Sequence, residues 1–67
     1  MDKNQTKELV SIVKEYNLNI ERALKINEII EYKLTLNLSK SFYITPLLEQ
    51  KAFDITKRYI QMYYKKR

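Results

Sequence analysis

Residues 9–34 read LVSIVKEYNLNIERALKINEIIEYKL, and the spacing of their apolar side chains decides the fold class. Leu9, Val13, Tyr16, Ile20, Ala23, Asn27, Ile30 and Leu34 follow one another in steps of four or three. An α-helix turns once in about 3.6 residues, so these steps put the whole set on one stripe. Ile12 and Leu24 widen it. This is the heptad spacing of a coiled-coil or helical-bundle seam. Asn27 is the polar exception. Buried in a seam, a lone Asn sets register and partner number at some cost in stability; at a seam's edge it is simply solvated. Leu18, Ile26, Ile29 and Leu36 form a second apolar set on a different side. A helix that is apolar on two sides packs on two sides, so the segment 20–36 is expected to be the most buried helix of the assembly.

One point along this stretch is ambiguous. Asn17-Leu18-Asn19 offers a residue type that ends helices, and Asn19 can cap a new helix with Glu21 in its first turn. Read that way, the chain is a three-helix bundle. Against it, the heptad phase runs through the segment without a slip, and no Gly or Pro is present to make the turn. The preferred reading is therefore one long helix over about 6–38, with a break near 17–19 as the alternative. Residues 37–45, NLSKSFYIT, then interrupt the pattern, because Ser and Asn favour turns over helix interiors. Within them Phe42, Tyr43 and Ile44 make an apolar patch suited to plugging the end of the bundle or resting on a partner.

Thr45-Pro46 starts a last helix, expected over about 46–65, with Thr as N-cap and Pro at the first helical position. Its apolar side runs Leu48, Ala52, Ile55, Tyr59, Met62, extended by Phe53, Thr56, Ile60 and Tyr63. Gln50, Lys51, Asp54, Lys57, Arg58, Gln61 and Lys65 lie opposite, with Asp54 and Arg58 spaced as an i,i+4 ion pair. Lys65-Lys66-Arg67 suits the negative pole of the helix. The fold class is all-α: a single small helical domain of residues 1–67, arranged as an antiparallel hairpin or a three-helix bundle.

The chain has 67 residues, no Gly, no Cys, no His and one Pro. A domain of this size buries only about 60% of the surface its unfolded chain exposes, so it relies on well-formed helix packing, self-association, or both. Length favours self-association in the long-helix version. A helix over 6–38 is about 50 Å long and one over 46–65 only about 30 Å. Folded back, the second leaves the first part of the stripe bare. Leu9, Ile12, Val13, Tyr16, Ile20 and Asn27 are then the expected self-interface of a homodimer or higher oligomer. In the broken version the first helix covers its own bundle, and a monomer suffices.

Charge is unevenly placed. Residues 1–38 carry six Lys/Arg and six Asp/Glu; residues 39–67 carry seven and two, and so hold the whole net charge of +5. Lys51, Lys57, Arg58, Lys65, Lys66 and Arg67, with Phe42 and Tyr43, are the candidate residues for a partner or an anion. The alternatives are a solvated basic face or a docking face for nucleic acid or another polyanion. A membrane-surface role for this basic amphipathic helix ranks below both, because apolar residues at helical spacing more often pack on another helix.

Catalysis is not expected. Without His or Cys the usual nucleophile–base pairs cannot be built, and without Gly neither a P-loop nor a dinucleotide loop exists. Glu28 and Glu31 stand one turn apart, but the Glu-x-x-His pattern of di-iron bundles is missing, and no cofactor or metal is expected. The Ser-Gln signature of small helical response-regulator phosphatases also has no counterpart, the nearest stretch reading Ala52-Phe53-Asp54-Ile55. No apolar run approaches the ~18 residues of a membrane span, and the first residues lack a signal-peptide core. The expectation is a cytoplasmic regulator or adaptor that binds itself and another protein, with nucleic-acid binding as the alternative.

Overall fold

The computed structural model describes residues 1–37 and 45–67, and residues 38–44, including the Phe42-Tyr43-Ile44 patch, lie outside the described residues. The described chain is all-α, with α1 over Lys3–Glu15, α2 over Ile20–Asn37 and α3 over Thr45–Tyr63. The helices are about 20, 27 and 29 Å long at 1.5 Å per residue. Cross-helix contacts set their directions. Gln5 meets Gln50 and Glu8 meets Lys57, so α1 and α3 run parallel. Asn27 meets Thr56 and Arg22 meets Tyr64, so α2 runs antiparallel to α3. The bundle is elongated, 42 × 23 × 16 Å.

Of the two sequence readings, the three-helix one holds and the continuous helix over 6–38 does not. α1 ends at Glu15, and Tyr16 takes an extended conformation with φ −112° and ψ 159°. Asn19 then caps α2: its Oδ1 accepts the Arg22 amide at 2.8 Å, and its carbonyl accepts the Ala23 amide at 3.1 Å. No residue among those described has positive φ. The turn is built from extended backbone, so it needs no Gly, and the absence of Gly carried no weight against it. The break is favoured because α1 folds back and buries Leu9, Val13, Tyr16 and Leu18 against Phe53 and Ile60. Full burial of such a side chain contributes roughly 1.5–3 kcal/mol, whereas each helical hydrogen bond given up is worth a net ~1 kcal/mol and several are replaced in the turn.

α1 also starts earlier than expected. Asp2 Oδ1 accepts the Gln5 amide at 2.8 Å and Gln5 Oε1 accepts the Asp2 amide at 3.3 Å, a reciprocal capping box. The buried Gln5 donates from Nε2 to Gln50 Oε1, and Gln50 donates to Asp54. A polar chain therefore runs along the α1–α3 seam beside the apolar core.

The core itself is small: Leu9, Val13, Tyr16, Leu18, Ala23, Ala52, Phe53 and Ile60 are buried. Asn27 is buried with them, opposite Thr56, rather than solvated. The Thr56 hydroxyl lies 2.7 Å from the Ala52 carbonyl and 2.9 Å from the Asn27 side-chain amide. A hydroxyl has one proton and two lone pairs. Its one proton is shared between two acceptors, the Ala52 carbonyl and Asn27 Oδ1, the Ala52 contact being the shorter. The pair sets the register of α2 against α3 inside one chain. The expectation that segment 20–36 is the most buried helix fails for the single chain. α2 buries only Ala23 and Asn27, while Ile29 and Leu36 of its second apolar set stand exposed.

Candidate interaction site

The residues assigned to a self-interface are already used. Leu9, Val13, Tyr16 and Asn27 are buried within the chain, and Ile12 and Ile20 pack against its core. The first four are thus covered within the chain, and Ile12 and Ile20 are half-buried. The reason is the break at Tyr16–Asn19, which turns a seam for another molecule into a seam for α3.

The basic residues divide in two. Residues 64–67 leave the helix rather than extend it, and Lys66 forms an isolated antiparallel bridge with Tyr16. The Asn17 amide donates to the Lys65 carbonyl at 2.8 Å, and the Arg67 amide to the Glu15 carbonyl at 2.9 Å. Arg67 Nε donates to the Tyr16 carbonyl at 2.8 Å, and its Nη2 to the Leu18 carbonyl at 3.0 Å. A guanidinium at the negative end of α1 is electrostatically favourable, and here it also satisfies the C-cap carbonyl of Tyr16 and the turn carbonyl of Leu18. Lys66 Nζ sits 6.0 Å from the Tyr16 ring centroid. Lys57 is likewise engaged, 3.2 Å from Glu8 and 3.8 Å from Asp54, with its ammonium over the Phe53 ring. Asp54 thus pairs with Lys57 and not with Arg58 as its spacing suggested. Beside these, Arg22 donates to the Tyr64 hydroxyl, which holds the guanidinium pKa above its ordinary value.

Lys51, Arg58 and Lys65 remain exposed and make no ion pair among the described residues. Two of them belong to a pattern that periodicity alone assigned to different faces. Leu47, Lys51, Ile55, Arg58 and Met62 follow in steps of four, four, three and four, along the outward side of α3. Leu47 is 62% and Met62 73% exposed. Tyr59 and Tyr63, with ring centroids 4.7 Å apart, flank this stripe and are also exposed. Apolar and basic side chains therefore alternate along one outward line, exposed at both ends and half-buried at Ile55. The signal in the sequence was Leu47, an apolar residue immediately after the helix start and off the expected core stripe.

α2 carries a second outward line. Glu21, Leu24, Glu28 and Tyr32 follow in steps of three, four and four, with the half-buried Glu31 and with Thr35 beside them. Leu24 is 43% and Tyr32 64% exposed. Leu24, Glu28, Glu31, Tyr32 and Thr35, with Met1, Asn27 and Ile29, border an open groove of about 640 Å³. Its exposed charge is acidic. The groove along α2 is open rather than enclosed.

Among the described residues no group of His, Cys, Asp or Glu is placed to hold a metal ion, and no helix is long and apolar enough to cross a membrane. Comparison with protein-family models, with curated proteins and with solved structures gives no match to this chain.

Proposed function

We propose that the chain is a non-catalytic interaction protein, a small regulator or adaptor that docks a partner protein on the outward face of α3. The observation that carries this reading is the alternating stripe Leu47–Lys51–Ile55–Arg58–Met62 with Tyr59 and Tyr63 beside it. Large apolar side chains left in solvent at Leu47, Tyr59, Met62 and Tyr63, with the half-buried Ile55 between the ends, on a bundle whose core is already closed, mark a binding surface. The long Lys and Arg stems add apolar cover while their heads select an acidic partner. The absence of Cys fits work in the reducing cytoplasm.

The test is affinity capture from the native host with wild type, Arg58→Glu and Met62→Glu in parallel. A partner identified with wild type should be lost with both variants, whose helical circular dichroism should be unchanged. Identical captures from all three chains would end the proposal.

Polyanion binding is the second reading, favoured by the exposed Lys51, Arg58 and Lys65. It now has a smaller footprint, since Lys57 and Arg67 are engaged within the chain. About three phosphate contacts would give a slope of about −3 in log affinity against log salt on duplex DNA. No retention on DNA or RNA at low salt would sink this reading.

A further inference from the structure

The outward lines of α2 and α3 match each other. Going along α2, Glu21, Leu24, Glu28 and Tyr32 are separated by three, four and four residues. Going backwards along α3, Arg58, Ile55, Lys51 and Leu47 are separated by the same intervals. Laid antiparallel, Glu21 meets Arg58, Leu24 meets Ile55, Glu28 meets Lys51 and Tyr32 meets Leu47. Each anion faces a cation and each apolar residue an apolar one. Within one chain these residues cannot meet, because α2 and α3 already face each other through Asn27 and Thr56.

We infer that a second copy of this chain docks its α2 line on the α3 line of the first, in this antiparallel register. The inference rests on the reading of α3 as a docking face and names one occupant for it. Both lines are exposed, save for the half-buried Ile55, and neither Lys51 nor Arg58 has an ion-pair partner among the described residues. Steps of three and four on both sides are what two packed helices require for their side chains to interdigitate. The pairing joins unlike faces, so every copy offers one line of each kind. A single helix pair buries less than the ~1,200 Å² of a standard interface, which makes the association weak and reversible. A helix-sized occupant that comes and goes also leaves the α3 face open to a stronger partner.

Sedimentation velocity on the purified chain tests this, from about 10 µM to about 1 mM, the range in which weak interfaces dissociate. The average mass of wild type should climb above 8.2 kDa with concentration, and less so at high salt, since exposed charge pairs are screened. Lys51→Glu with Arg58→Glu, and separately Glu21→Lys with Glu28→Lys, should each hold the chain at the monomer mass. Mixing the two double variants restores every charge pair and should restore association. A milder pair, Lys51→Gln with Arg58→Gln, should weaken association at least tenfold and serves if a reversal lowers helicity. A wild-type mass of 8.2 kDa throughout, or variants that associate like wild type, or a mixture that stays monomeric, would overturn the inference. No partner protein is involved, so failure here leaves the capture experiment standing, and failure of the capture leaves this one.

Discussion

Two regions of this protein are written in the same alphabet and end in opposite environments. The Leu9–Tyr16 stripe of α1 and its C-cap and the Leu47–Met62 line of α3 both advance in steps of three and four, the first through apolar residues alone and the second through apolar and basic residues in alternation. The first is buried against Phe53 and Ile60; the second faces solvent at both ends. Their cations divide in the same way. Arg67 lies against the α1–α2 turn and donates to two carbonyls, whereas Arg58 stands outward with no ion pair among the described residues. Periodicity says which side chains share a line. It does not say what lies across from that line, and a count of basic residues does not separate those that hold the fold from those that meet a partner.

The sharpest way to break this comparison is to truncate one residue on each line. Leu9→Ala should cost about 2–5 kcal/mol, as large-to-small changes in a closed core do, and in so small a domain that approaches the whole stability. Met62→Ala should stay within about 0.5 kcal/mol, the range of surface changes. Urea unfolding followed by circular dichroism measures both; equal costs would mean that α1 is not packed as described. For the same reason Leu9→Glu is expected to unfold the chain, and not merely to separate two copies.

Thr56→Val comes next. It keeps the shape but strips the buried Asn27 amide of its partner, and an unsatisfied buried polar group costs about 1–3 kcal/mol. The midpoint in urea should fall with little change in slope. An unchanged midpoint would show that Asn27 is reached by water and does not set the α2–α3 register.

The smallest effect compares the two arginines. Arg67→Ala removes two charge-assisted hydrogen bonds from a partly exposed site and should cost about 1–2 kcal/mol, with faster amide exchange at Asn17 and Leu18. Arg58→Ala should leave stability within about 0.5 kcal/mol and be felt only in binding. Equal and negligible losses would mean that the C-terminal residues do not hold the turn.

Much of the fold was legible. The four-and-three stripe gave all-α structure, and Thr45-Pro46 marked the start of α3 within a residue. The Asp2–Gln5 capping box is local to the chain, but it lies ahead of the apolar stripe, which begins only at Leu9. The break was harder to see. Four turn residues, Tyr16–Asn19, happen to keep the heptad phase, so a slip that would normally announce a new helix is missing. The site was legible only in part. Lys51 and Arg58 read as exposed cations from their spacing, but Leu47 lies off the expected core stripe and Met62 fits that stripe, so spacing alone does not put either on the surface line.

By itself the sequence determined what is local: helix formation, the caps at Asp2 and Asn19, the start at Thr45, and the concentration of net positive charge after residue 38. These depend on neighbours three or four residues away, which any reader of the chain can see. The tertiary structure alone decided which stripe is core and which is surface. It also placed Arg67 on carbonyls 49 and 51 residues away, and set Asn27 against Thr56 at a separation of 29. Those outcomes depend on where the chain reverses. Here that is a turn with no Gly, no Pro and no positive φ, stabilised mainly by the burial it allows elsewhere.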